Sequence, residues 1–154
     1  MTEAELQVFI EGTTRYFERT TKRPAIVDPP FLKGDETFLL DYTGVIGISG
    51  RQRGTIYYTA SSDMLSELII AMGVPLPFME ENSLRDMVGE VTNTISGNAR
   101  KEFGGMFMIS VPIVITGDKM SSGLYLPSNL SSFVIPVIWG QHKSYLVVCL
   151  EDMK

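Results

Sequence analysis

Residues 80–105, EENSLRDMVGEVTNTISGNARKEFGG, constrain the chain more than any other stretch, because they read as one long helix. At about 100° per residue, Leu84, Val88, Val91, Ile95 and Ala99 fall on one apolar stripe. Asp86, Glu90, Asn93 and Gly97 fall on nearly the opposite side. Asn82 or Ser83 is expected to cap the start, with Asp86 three residues after Ser83 as the acid of a capping box. Gly104-Gly105 is expected to stop the helix, since glycine adopts the left-handed conformation that helix ends require. A fold that accepts this element must cover the stripe and leave the polar side open.

Polar helix faces are usually just solvated. Two features of this one point further. Gly89 and Gly97 each weaken a helix interior by roughly 1 kcal/mol relative to alanine, and glycine on an open face lets another molecule approach the backbone. Asn93 is a poor helix former where better ones exist. The face reads as one built to be touched.

The chain's 154 residues suit a single domain spanning 1–154, with a sizeable core. A net charge of −5 argues against nucleic-acid and anionic-membrane partners, which need a basic surface. No apolar run is long enough for a transmembrane helix, and Met1 does not open a signal peptide, so a cytoplasmic location is expected. Cys149 is the only cysteine and His142 the only histidine, which excludes an internal disulfide, a cysteine metal cluster and most nucleophile–base constellations. The chain has no HExxH, CxxC, P-loop or GxSxG motif.

Residues 3–21 carry Leu6, Phe9, Ile10, Thr13 and Phe17 at helical spacing. Gln7, Glu11 and Thr14 in that helix copy the spacing of Asp86, Glu90 and Asn93, with threonine in the asparagine place. A hydroxyl lacks the paired donor and acceptor of a carboxamide, so no chemistry is expected there. Pro24, Pro29 and Pro30 give an extended connection, and Gly34-Asp35 a turn. From Thr37 two β-like runs flank Arg51-Gln52-Arg53-Gly54 as a hairpin loop, and Gly44 and Gly47 suggest a bulge or close packing under a helix. Arg51 and Arg53 suit an ordinary solubilising loop, or an acidic partner.

Residues 61–72 predict a short packing helix capped by Ser61 or Ser62 and ended by Gly73, with Pro75 and Pro77 shaping the turn that follows. Its Asp63, Glu67 and Ile70 repeat the acidic spacing without an asparagine. Residues 106–117 predict a buried strand in which Pro112 marks an edge, a bulge or a break. Residues 118–131 predict a loop or irregular strand. SSFVIPVIW and KSYLVVCLED flank Gly140-Gln141-His142-Lys143 as a second hairpin, with Cys149 a small core residue and Trp139 core or interface. The sum is an α+β domain: two or three helices on a mostly antiparallel sheet.

The pattern Asp86-x3-Glu90-x2-Asn93, followed by Gly97-Asn98-Ala99 and by Ser110-Val111-Pro112, resembles the signature of the CheC/CheX/FliY family of bacterial chemotaxis phosphatases, which act on phosphorylated CheY. The resemblance covers most of the chain and is closest to CheX-type members, which carry one such motif. Pro112 follows sooner after Asn93 than in the family pattern. The resemblance implies a CheC/CheX-like fold with two- and three-stranded stretches packed under long helices. It also implies a homodimer and a phosphorylated CheY-like receiver domain as partner.

Hydrolysing an aspartyl phosphate needs a water held in line with the leaving oxygen and cations on the phosphoryl oxygens. No cofactor is expected on this chain; Mg²⁺ and a lysine are expected from the receiver. Asn93 then orients the water, accepting from it and donating at once, and Glu90 pairs with the receiver's lysine. Asp86 extends the acidic docking edge, Gly97 clears space for the phosphate loop, and Asn98 beside it is counted with the docking positions. The competing expectation is a non-catalytic adaptor that docks a receiver or a flagellar switch component through the same face.

Overall fold

The computed structural model describes residues 1–34, 36, 38–73, 80–117 and 131–153. Helix α1 (Glu3–Thr21) is followed by the short strands β1 (Ile26–Val27) and β2 (Phe31–Leu32) and the hairpin β3 (Tyr42–Gly50) and β4 (Gln52–Ala60). Helices α2 (Ser62–Ala71) and α3 (Glu81–Phe103) come next. Strands β5 (Phe107–Ile109), β6 (Ile113–Thr116), β7 (Ser132–Trp139) and β8 (His142–Asp152) follow and complete the elements of the described residues. The strands form one eight-stranded antiparallel sheet in the order β1-β7-β8-β4-β3-β5, with β2 beside β7 and β6 beside β3. This is the α+β arrangement expected, with the strands joined in one antiparallel sheet under the helices.

The main core lies between the sheet and the helices. It gathers Phe9 and Phe17 from α1, Leu65 and Leu68 from α2, and Val88, Val91 and Ile95 from α3 onto Ile46, Ile56, Ile135 and Leu146. Trp139 and Cys149 are both fully buried. A smaller cluster of Leu39, Tyr57, Val134 and Val147 covers part of the other face.

The helix periodicities match the burial. All five expected stripe residues of α3 are buried, and Met87, Gly89, Thr92 and Ser96 widen the buried arc. The start of α3 differs from expectation. Glu80 is the N-cap and makes no side-chain capping bond, so neither Asn82 nor Ser83 caps and no box forms with Asp86. Gly104 ends the helix as expected, but at φ 96° and ψ 176°, not in the left-handed helical conformation. In α2, Ser61 caps by accepting from the Met64 N–H at 3.1 Å, and Gly73 follows at φ 76°.

The strands depart further from expectation. The loops of both hairpins are shorter than the polar runs suggested. Gln52, Arg53 and Gly54 belong to β4, and His142 and Lys143 to β8. Arg53 Nε donates across to Glu151 Oε2 on β8 at 2.9 Å, and Gln52 Nε2 donates to Asp152 on β8 and to Glu5 on α1 at 2.9 Å each. Phe38–Leu40 lie outside any strand, which starts only at Tyr42. The expected buried strand over 106–117 is instead two short strands on an edge, with Ser110-Val111-Pro112 breaking the ladder between them. Met106, Met108, Val111 and Ile113 are exposed there. The expected turns at Gly34-Asp35 and at Pro75 and Pro77, and the irregular stretch 118–131, fall wholly or partly outside the described residues.

The expected close packing at Gly44 is what seats α3. A Cβ on Gly44 would collide with Thr92 Oγ1 and come within 3.0 Å of the Val88 carbonyl oxygen. Arg85 adds a second tie, donating to the Val114 carbonyl at 3.1 Å. The Phe103 ring packs on both Phe9 and Phe107 at the far end. Gly44→Ala should therefore cost about 1–3 kcal/mol through overpacking. Urea denaturation should show a lower midpoint with an unchanged slope.

Candidate functional site

Because its opposite side is held at Gly44, Val114, Phe9 and Phe107, α3 presents a fixed row to solvent. Asp86, Glu90 and Asn93 are exposed, and Gly97, half-buried, continues the row. Among the described residues nothing lies within 4 Å of a Cβ built on Gly97, so they leave the space above that turn open. Glu90 and Asn93 are one turn apart, which lets both reach a single bound group. Their side chains make no hydrogen bond or salt bridge among the described residues, and so are free to take outside partners.

Two residues fall elsewhere than the sequence suggested. Gly89 is buried against Val114, whose Cγ2 would lie 3.5 Å from an added Cβ, so this glycine belongs to packing. Asn98 lies on the seam with α1. Its Oδ1 accepts from Arg15 Nη1 at 3.5 Å, and a Cβ on Gly12 would come within 2.6 Å of its Nδ2. Asn98 thus fixes α1 against α3, one step outside the open row.

Tyr16 is the residue that sequence reading passed over. It is buried on α1, and its hydroxyl has no hydrogen-bond partner among the described residues. Burial, with the Glu90 carboxylate adding to it, holds the phenol well above its ordinary pKa, so it stays neutral beside the site. Only the helical phase of Tyr16 with Phe9 and Thr13 signals this placement.

The copied spacing on α1 is not equipped in the same way. Gln7 Nε2 donates to Glu11 Oε1 at 3.3 Å, and Thr14 Oγ1 donates back to the Glu11 carbonyl at 3.1 Å. The third copy, on α2, is also committed elsewhere. Glu67 pairs with His142 and lies 3.8 Å from Arg23, while Ile70 is exposed. His142 is thus engaged by Glu67 and Cys149 is buried, which leaves no thiol–imidazole pair for a substrate. Among the described residues no cluster of three or more His, Cys, Asp or Glu side chains is placed to hold a metal ion. No helix among them is long and apolar enough to cross a membrane.

The open helical row on a sheet of this topology defines a class, and comparison with known proteins names it. The family described as chemotaxis phosphatase CheX matches residues 42–137, a span that contains α3 and both hairpin strands beneath it. The chain belongs to that family. It is similar to the crystal structure of a chemotaxis protein CheX from Desulfovibrio desulfuricans, with 28% identity, a TM-score of 0.82, and coverage of 96% of this chain and 99% of that one. The CheX of Vibrio vulnificus superposes with a TM-score of 0.81 at 24% identity over 96% of this chain and 99% of that one. The CheX of Borrelia burgdorferi, solved as a CheX–CheY–BeF3–Mg²⁺ complex, shares the fold with a TM-score of 0.74 at 15% identity, covering 96% of this chain and 97% of that one. No curated protein matches the chain.

The open space above Gly97 makes a direct prediction. Gly97→Ala should stabilise the protein by roughly 1 kcal/mol, the helix-propensity difference with no packing cost against it. Chemical denaturation of the two proteins side by side checks this.

Proposed function

We propose that this protein hydrolyses the aspartyl phosphate of a CheY-like receiver domain, with Asn93 and Glu90 as the working pair. The observation that carries this reading is the exposure of these two side chains, one turn apart, on a helix whose other side is fully anchored. A rigid mount matters because an acyl phosphate is already electrophilic. What the helix must add is position.

In the proposed complex α3 lies against the phosphorylated aspartate of the receiver. The Asn93 carboxamide oxygen accepts from a water while its NH2 donates toward the phosphoryl group, aligning the water opposite the leaving carboxylate. Attack forms the new P–O bond and breaks the bond to the aspartate. The aspartate leaves as a carboxylate and the phosphoryl group as inorganic phosphate. The receiver supplies the Mg²⁺ and the lysine that offset the phosphoryl charge, and the Glu90 carboxylate pairs with that lysine to fix the approach. Asp86 extends the acidic edge by one turn, and the bare backbone at Gly97 admits the partner closely.

A homodimer is part of the proposal. The β6 end of the sheet edge carries the exposed apolar side chains Val111 and Ile113, the kind of edge that pairing with a second copy would cover.

The test is phosphate release from a CheY-type receiver phosphorylated by acetyl phosphate with Mg²⁺ present, alongside affinity for the same receiver loaded with beryllofluoride. Asn93→Ala should lower turnover by about a hundredfold or more, the scale of a lost positioning contact, while affinity stays nearly unchanged. Glu90→Ala should instead weaken affinity by about tenfold, as expected for a lost charge-assisted bond. Binding without any acceleration by the wild type would replace the phosphatase reading with the adaptor one.

A further inference from the structure

The polar row on α3 does not end at Gly97. Arg100 stands seven positions after Asn93 and so projects within about 20° of it, and it is exposed. Among the described residues it forms no salt bridge. Beside it the sheet edge opens into a groove of about 570 Å³ lined by Arg100, Gly47, Ile48, Met108, Ile109 and Ser110.

The Ser110-Val111-Pro112 break builds this groove. The Ser110 N–H donates to the Gly47 carbonyl at 2.9 Å. The Ser110 hydroxyl accepts from the Gly47 N–H at 2.9 Å and donates to the Val111 carbonyl at 3.1 Å. Both backbone groups of Gly47 are thereby satisfied across the gap, while Gly47 itself adds no side chain to the floor. A Cβ there would meet only Ser110 Oγ, at 3.7 Å. Polar Ser110 and the cation of Arg100 thus share the groove lining with apolar Ile48, Ile109 and the exposed Met108.

We propose that this groove is a second docking point for the same receiver domain, taking a receiver segment that carries a carboxylate next to an apolar side chain. The inference rests on the partner named in the proposed function. Arg100 lies about 15 Å along the helix from Glu90, ten residues at the helical rise. One end of the row takes a cation and the other an anion, so only one head-to-tail orientation of the receiver pairs both charges. The reverse orientation sets like charges together, which is how charge patterns fix register at an interface. Basic residues in a last helical turn also complement the helix dipole, a role Arg100 shares with Lys101. Lys101 points about 100° away and does not line the groove, so the two roles separate experimentally.

The experiment measures affinity for a beryllofluoride–Mg²⁺-loaded CheY-type receiver by calorimetry, with turnover recorded on the same proteins. Arg100→Glu should weaken affinity by at least about tenfold, the scale of a reversed interface charge, and Lys101→Glu by less than threefold. Gly47→Ala adds a methyl whose nearest described neighbour is Ser110 Oγ at 3.7 Å, and should weaken affinity as well. Arg100→Gln serves if the charge reversal unfolds the helix end. Equal effects of Arg100→Glu and Lys101→Glu, or no binding of the loaded receiver by the wild type, overturn the docking point. Turnover that depends on Asn93 together with equal effects at Arg100 and Lys101 overturns this inference alone. Binding without turnover leaves the docking point standing and removes the phosphatase reading.

Discussion

The close approach of α3 to β3 at Gly44 sets the rest of the molecule. Thr92 can face that strand because its hydroxyl donates to the Val88 carbonyl one turn back, at 2.7 Å, and leaves no unmet polar group in the contact. A helix seated this tightly cannot roll. A rotation by one residue, about 100°, would bring Glu90 toward the sheet and lift Val91 out of it. Arg85 at one end and Phe103 at the other hold the same rotational setting along the full length of the element. The orientation of the exposed row is thus a result of packing on the opposite side.

That division explains what could be read from the sequence. The buried stripe was legible because its period runs unbroken from Leu84 to Ala99, and the open row followed by subtraction. Gly44 was legible as a bulge or a close contact, but Gly47 in the same run carried the same signal and is exposed. The strand ends were not legible, because a ladder extends through polar residues whenever the neighbouring strand supplies partners, as Glu151 does for Arg53. The apolar run 106–117 looked buried because hydrophobicity alone does not distinguish an edge from an interior. The Asn98 seam and the placement of Tyr16 depend on how α1 and α3 pair. That is a long-range choice with no local signature.

The two long helices carry similar spacings and differ in what surrounds them. On α1 the Thr14 hydroxyl is used by its own backbone, and Glu18 occupies the place that corresponds to Gly97 on α3, so the row is both shorter in reach and closed by a charged side chain. On α3 the carboxamide is unengaged among the described residues and the next turn is bare. The spacing of acidic and polar residues is therefore insufficient by itself. The acid-bearing pattern on α2 makes the same point, since its glutamate ties the β7–β8 turn to the helix through His142.

The separation of anchor from working face along one helix has an evolutionary consequence. Substitutions of the exposed side chains Asp86, Glu90 and Asn93 touch nothing in the core, and such surface changes ordinarily shift stability by less than about 0.5 kcal/mol. Selection on fold and selection on chemistry therefore act on different residues of the same helix. A duplicated gene is free to lose Asn93 while keeping Glu90, Arg100 and the whole core. On the proposed function, its product would still fold and still present the docking surface, and would pass from a signal terminator to a competitor for the same partner in a single step.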